Sequence, residues 1–397
     1  MRAAPPPSGG RRPLPRRPLL GVALAGAAAA CAQAQTAEPR GNPALNPPPG
    51  LWQIARERGL TFGSAVQANL LNSDPFYAAA YEREAGVLVP EYEAKFAALQ
   101  PEEGKFEFGG FEAIIRWGQN RARTTRGHAL VWHNAMPDWA RAAIGESAQR
   151  ARGVMEAHIT RVLGQTRNTI RDWDVVNEAV ANPPGSDVPQ ATGEMRDTPW
   201  LRALGPGYVE TAFRIARERD PTLRLTLNDY GVEEDTPAAT EKRRRLLALV
   251  RGLIRARVPL DAVGLQAHLQ IDKPFSAPVF AEFVRALRAE GLAVLVTELD
   301  LREGSTIAAE YPERDRLVAE RTYAFTSTAI EAGVRTFLTW GLIDKYSWTV
   351  TDTGVARQGG THHRGVPLDW EYNRKQMWRA LARAFRGERP DPDGWFR

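Results

Sequence analysis

Eight short apolar runs recur along the 397-residue chain, and stretches with helical spacing of apolar residues separate most of them. The runs lie near Thr61–Val66, Val87–Pro90, Thr125–Trp132, Ile170–Glu178, Arg224–Asp229, Ala262–His268, Ala293–Glu298 and Thr336–Leu342. Runs rich in Val, Leu and Ile and bounded by turn residues read as strands buried on both faces. Helical spacing occurs over Asp74–Glu84, Glu112–Arg123, Ala148–Gly164, Tyr208–Asp220, Thr236–Ala256, Ala277–Gly291 and Glu313–Gly333. Asp74–Pro75 and Ser276–Ala277–Pro278 supply capping chemistry at two starts, and glycine stands at several ends. Repeated strand–helix alternation implies a parallel sheet, and eight units imply an α/β fold closed into a (β/α)8 TIM barrel rather than an open doubly wound sheet. No glycine-rich phosphate loop follows the first run, which disfavours a dinucleotide-binding fold.

The composition, 43% hydrophobic and 25% charged, suits a large packed core and not a disordered chain. The formal net charge is +5, but Arg2, Arg11, Arg12, Arg16 and Arg17 fall in residues 1–34, where no acidic residue occurs. The rest of the chain is therefore formally neutral, and the charge implies no nucleic-acid partner. Residues 1–34 read as an export signal: arginines precede the alanine-rich stretch Leu19–Ala30, and Ala30-x-Ala32 and Ala32-x-Ala34 are cleavage candidates. The stretch is too short to span a bilayer. Arg16–Arg17 followed by Pro18–Leu19–Leu20 is compatible with the twin-arginine route to the periplasm or exterior. The single cysteine, Cys31, lies in this leader, so the mature chain is expected to have no disulfide and no thiolate metal site; lipid anchoring at Cys31 is the alternative to its removal. Residues 35–50 read as a Pro-, Asn- and Gly-rich linker, leaving 51–397 as the barrel domain.

Polar and aromatic residues gather where the runs end: His128, Trp132, His133, Asn177, Glu178, Asn228, Asp229, Gln266, His268, Glu298, Asp300 and Trp340. Barrel enzymes place their sites on that face. Two of these residues are glutamates that end strongly apolar strands. Burying a carboxylate is costly unless it is paired, and two on different strands of one sheet match the acid and nucleophile of glycoside hydrolysis. No histidine–carboxylate pair has metal spacing, so no metal and no cofactor is expected. Taken singly, a strand-end glutamate is often a salt-bridge partner and a strand histidine often a satisfied core group. The basic run Lys242–Arg245 reads as a solvated helix face, and His362–His363 as a solvated loop.

Six segments together carry a resemblance: Arg126-Gly-His128-Ala-Leu-Val-Trp132-His133, Asp174-Val-Val-Asn177-Glu178-Ala179, Asn228-Asp229-Tyr230, Gly264-Leu-Gln266-Ala-His268, Thr297-Glu298-Leu-Asp300 and Thr339-Trp340-Gly341-Leu-Ile-Asp344-Lys-Tyr-Ser347-Trp348. From about Gly59 to Arg386 the chain resembles glycoside hydrolase family 10, mostly endo-β-1,4-xylanases. The resemblance implies Glu178 as acid/base and Glu298 as nucleophile, hydrogen bonds linking Glu298, His268 and Asp300, and contact of Asn177 with the 2-hydroxyl of the sugar cleaved. Gln266 falls among the supporting residues. It implies sugar contacts from Glu91, Lys95, His128, Trp132, Trp340 and Trp348, with Glu91 and Lys95 on the non-reducing side. Sugars pack their C–H faces on indole, which suits the tryptophans. One departure stands out: Tyr92 replaces an asparagine that the family uses for substrate contact.

The chemistry then expected is retention. Glu178 has to be protonated, with a pKa raised by burial, and Glu298 ionised beside donors such as His268. Carboxyls about 5–5.5 Å apart form a covalent glycosyl–enzyme, whereas about 8 Å leaves room for water and inversion. The expected partner is xylan or xylo-oligosaccharide and the expected state a monomer. Alternatives are a related β-glycanase on cellulose-like chains or short oligosaccharides, and a carbohydrate-binding pseudoenzyme.

Overall fold

The computed structural model describes residues 48–190, 193–304, 307, 310–357 and 361–389. The expected export segment with Cys31, and the expected linker up to residue 47, lie outside them. Among the described residues the chain forms ten strands: β1 (Thr61–Val66), β2 (Val87–Pro90), β3 (Thr124–Thr125), β4 (Gly127–Val131), β5 (Asp172–Asn177), β6 (Arg224–Asp229), β7 (Ala262–Leu265), β8 (His268–Gln270), β9 (Ala293–Arg302) and β10 (Thr336–Thr339). All pairings are parallel, and the order is β3-β2-β1-β10-β9-β7-β6-β5-β4, with β8 added beside β9. Only Arg126 separates β3 from β4 in the chain, so the two ends of this order are halves of one stave and the barrel closes through them.

The eight expected runs are thus the eight staves, with three changes. The third is split at Arg126. The sixth is split between Leu265 and His268, where Ala267 has φ +62°. The seventh does not stop at Glu298 but continues to Arg302, because β8 offers it a second partner in register (His268 beside Asp300). Register shifts in β4–β5, β5–β6 and β9–β10 re-aim side chains towards the site.

The expected helices form with adjusted ends: Pro75–Glu84, Gly109–Gln119, Ala148–Thr166, Tyr208–Arg219, Pro237–Arg255, Ala277–Ala289 and Tyr311–Ala332. Asp74 caps its helix, accepting from the Phe76 and Tyr77 amides. Ser276 holds the cap position of its helix without a side-chain bond, and Gly164 does not end its helix. A further helix, Gln376–Arg386, buries Met377, Trp378, Leu381 and Phe385 against the helices Tyr311–Ala332 and Leu51–Glu57. The Phe385 ring lies 5.7 Å from Phe62 on β1 and 5.6 Å from Phe337 on β10, packing this helix onto the outer face of those two strands. Full burial of such side chains contributes roughly 1.5–3 kcal/mol each. The mouth at the C-terminal ends of the strands is left to the site. Among the described residues no helix is long and apolar enough to cross a membrane.

Candidate active site

A cleft of about 570 Å³ opens at the C-terminal ends of the strands. Glu178, Glu298, Asn177, Gln266, His268, Glu91, Lys95, His128, Trp132, Trp340 and Trp348 all line it. Asp300 does not; it stands behind His268, fully buried.

Glu298 sits within β9. Its Oε1 accepts from Asn228 Nδ2 at 2.7 Å, and its Oε2 lies 3.3 Å from His268 Nε2. His268 Nδ1 is 2.8 Å from Asp300 Oδ1, and the Trp348 indole donates to Asp300 Oδ2. The expected Glu298–His268–Asp300 chain is therefore present in the geometry. Asn228 reaches Glu298 across a neighbouring strand because residue 264 is glycine: a Cβ there would fall 2.2 Å from Asn228 Oδ1. Asn228 Oδ1 in turn accepts from Thr297 Oγ1 at 2.7 Å. Behind this layer His128 Nδ1 lies 3.0 Å from Asp174 Oδ2 and 3.9 Å from Glu298 Oε1, and Arg126 pairs with Asp174. Burial alone would push the Glu298 carboxyl up; the charge of His128 and the hydrogen bond and charge of His268 outweigh it and hold the carboxyl below its usual value. Burial also opposes a charged His268, but the Asp300 carboxylate and the bond to Glu298 raise it from 6.5 to about 10. His268 is then an imidazolium at neutral pH.

Glu178 stands one residue past the end of β5, with φ +60°, a conformation that costs a non-glycine residue about 1–3 kcal/mol. Two backbone bonds hold it there: its N–H donates to Asn228 O at 2.8 Å, and its C=O accepts from Arg196 Nε at 2.8 Å. Its carboxyl is held loosely. Oε1 is 3.3 Å from Gln266 Nε2 and 3.4 Å from Asn177 Nδ2; Oε2 is 3.8 Å from His133 Nε2 and 4.0 Å from Arg196 Nη2. His133 is no ionic partner, because burial and then the Arg196 charge push it down to about 4. Asn177 Oδ1 accepts from Asn228 Nδ2 at 2.9 Å and Gln266 Nε2 at 3.1 Å, which fixes the amide between the two glutamates.

The cleft has two unlike halves. In one, Lys95 Nζ lies over the Trp132 ring at 4.8 Å and the Trp340 ring at 5.7 Å. Burial lowers the Lys95 ammonium, opposed by the carboxylates of Glu298, Glu91 and Glu178. Burial raises Glu91 to about 7 despite its bond from Gln67 Nε2 at 3.0 Å. Tyr92 is 52% exposed at the rim, so its ring is open to a ligand rather than packed. In the other half, Tyr230, Gly231 and Glu234 form a floor between the 182–188 segment and the Gln270–Lys273 turn.

Two expectations are corrected. Lys242 and Arg243 are not a solvated face: Lys242 Nζ is buried 2.9 Å from Asp229 Oδ1, and Arg243 donates to the Val232 and Glu234 carbonyls. The Asp229 carboxylate at the end of β6 and the carbonyls of the loop after it drew these cations inward. His363 is likewise buried, 2.6 Å from Glu303 Oε2 in a network with Arg314. Asn228, Arg196 and Glu234 have no role assigned from the sequence; strand-end position marks Asn228, while nothing periodic marks Arg196. Among the described residues no cluster of His, Cys, Asp and Glu is arranged to hold a metal ion.

The family model for glycosyl hydrolase family 10 matches residues 50–384. The chain is 30% identical over 343 residues to endo-1,4-beta-xylanase C of Phanerodontia chrysosporium, covering 84% of this chain and 79% of that one. It is 29% identical over 342 residues to endo-1,4-beta-xylanase 1 of Humicola insolens, covering 84% and 73%. The crystal structure of xylanase 10B from Thermotoga petrophila in complex with xylobiose superposes with a TM-score of 0.76 at 26% identity, over 85% of this chain and 97% of that one. A match across nearly the whole barrel, on a cleft with paired glutamates at its strand ends, places this chain in glycosyl hydrolase family 10 as a glycoside hydrolase.

Proposed function

We propose that the chain is a retaining endo-β-1,4-xylanase, exported and acting as a monomer on xylan. The observation that carries this reading is the unequal footing of the two cleft glutamates. Glu298 has a donor at 2.7 Å and an imidazolium at 3.3 Å, so it stays ionised and aimed. Among the described residues Glu178 has no polar partner to its carboxyl closer than 3.3 Å, so it is free to give and take a proton. The names of the family relatives support xylan as substrate, and the arginine-led alanine-rich leader supports export.

In the first step Glu298 attacks the anomeric carbon as the glycosidic C–O bond breaks, and Glu178 gives its proton to the departing oxygen. The product is a glycosyl ester on Glu298. Water then attacks the same carbon, Glu178 takes its proton, and Glu298 leaves. Asn177, braced by Asn228 and Gln266, meets the 2-hydroxyl. Incubation with an aryl 2-deoxy-2-fluoro-β-xylobioside, followed by peptide mass spectrometry, tests the assignment. A stable adduct on Glu298 is expected. An adduct elsewhere, or first-formed product of inverted configuration by NMR, overturns it.

The exposed Tyr92 favours one second reading, a β-glycanase on cellulose-like or short chains. Relative rates on xylan, soluble cellulose and xylo-oligosaccharides separate the two.

A further inference from the structure

Asp187 belongs to the segment that follows Glu178, yet its partners stand on other staves. Oδ1 accepts from Lys273 Nζ at 2.6 Å; Oδ2 accepts from Gln270 Nε2 at 2.5 Å and Arg302 Nη2 at 3.2 Å. Gln270 ends β8, Lys273 lies in the turn after it, and Arg302 ends β9. Between β5 and these residues runs β6, whose loop is the cleft floor. The contact therefore ties one wall of this half of the cleft to the other. Walls in hydrogen-bond contact narrow the passage left for a polysaccharide chain between them.

The near footing of this bridge is stiff. Asn182 Nδ2 donates to Val188 O at 2.9 Å, and the Gln190 amide donates to Asn182 O at 3.0 Å, closing the loop at its base. Pro183, Pro184 and Pro189 restrict the backbone between. The far footing is ionic and partly exposed, so single substitutions can undo it without touching the core.

We propose that Asp187 is a specificity-determining residue: bridged to Lys273 and Arg302, it truncates the leaving-group side of the cleft, so that cleavage favours short leaving groups near the reducing end of the chain. This rests on the reading above, in which the loop after the proton donor Glu178 flanks the leaving group and Glu91 and Lys95 face the non-reducing side.

The test is the bond-cleavage pattern on reducing-end-labelled xylohexaose for wild type, Asp187→Ala and Lys273→Ala, with an aryl β-xylobioside as reference, since its leaving group carries no sugar. Wild type is expected to release mainly xylose and xylobiose from the labelled end. Both variants are expected to move cleavage towards the centre and to raise the rate on polymeric xylan relative to xylotriose by about threefold or more, the scale of one exposed ion pair. Aryl xylobioside turnover is expected to stay within about twofold. Unchanged cleavage frequencies in both variants, with aryl xylobioside turnover intact, overturn the inference alone. Absence of that turnover in wild type overturns the function reading and this inference with it.

Discussion

Glu298 and Glu178 face one cleft from opposite kinds of support. Glu298 lies inside a ten-residue strand and its carboxyl is braced by Asn228, His268 and, at 3.9 Å, His128. Glu178 lies just past a strand end in a left-handed conformation, anchored by its backbone while its carboxyl is left slack. On the roles proposed for them, the difference teaches how one scaffold runs two carboxyl chemistries. Dense donors fix a charge and a position; sparse donors leave a group able to change its charge during a cycle.

The largest effect expected from that contrast belongs to Glu178→Ala. On the role proposed for Glu178, loss of the general acid slows xylan hydrolysis by about 10²–10⁴-fold. Aryl xylobiosides with acidic leaving groups should suffer far less in bond breaking, and azide should restore product formation in place of water. A series of aryl leaving groups measures this; equal losses across the series would break the comparison.

An intermediate effect is expected for His268→Asn, which removes the charged donor to Glu298. A hydrogen bond to a charged group contributes about 1.5–3 kcal/mol, so kcat/KM should fall about 10–100-fold. The pH dependence sharpens the point. The folded-state pKa of His268, about 10, lies above its ordinary 6.5. Its stabilising contribution is therefore complete below about 6.5 and is lost as pH rises through about 10. Urea midpoints measured from neutral to alkaline pH should drop more in wild type than in the variant; parallel curves would show that the imidazolium does not brace Glu298.

The smallest effect is expected for His133→Ala. His133 is neutral and 3.8 Å from Glu178, so kcat/KM on xylan should change less than about fivefold. A loss as large as that of His268→Asn would mean Glu178 is held more tightly than its distances indicate.

The staves were legible in the sequence because a strand buried on both faces leaves a dense apolar run. The glutamates were legible because each interrupts such a run with a charge that burial penalises. Breaks within staves were not: nothing in Leu265–His268 announces that Ala267 turns to positive φ, since that bend is imposed by neighbouring strands. The helix Gln376–Arg386 went unread although its buried face is strongly apolar, because three arginines and a glutamine interleave it and no strand follows to complete the alternation. Lys242–Arg245 misled for the opposite reason. Local charge density suggested water, but Asp229 and the β6 loop carbonyls, brought close only by the fold, took Lys242 and Arg243 inside. Asp187 shares that dependence, since its partners are more than eighty residues away in the chain.

The continuation of β9 past Glu298 to Arg302 has a bearing on redesign. The strand behaves as a beam carried at both ends, with the Glu298 amide bonded to Gln266 O and the Leu299 carbonyl receiving the Trp340 amide. The proposed point of attack is thus inherited from the sheet and not from the rim. Loops around the mouth become exchangeable parts that can re-address the molecule to another polymer, while a change to the beam itself moves the blade.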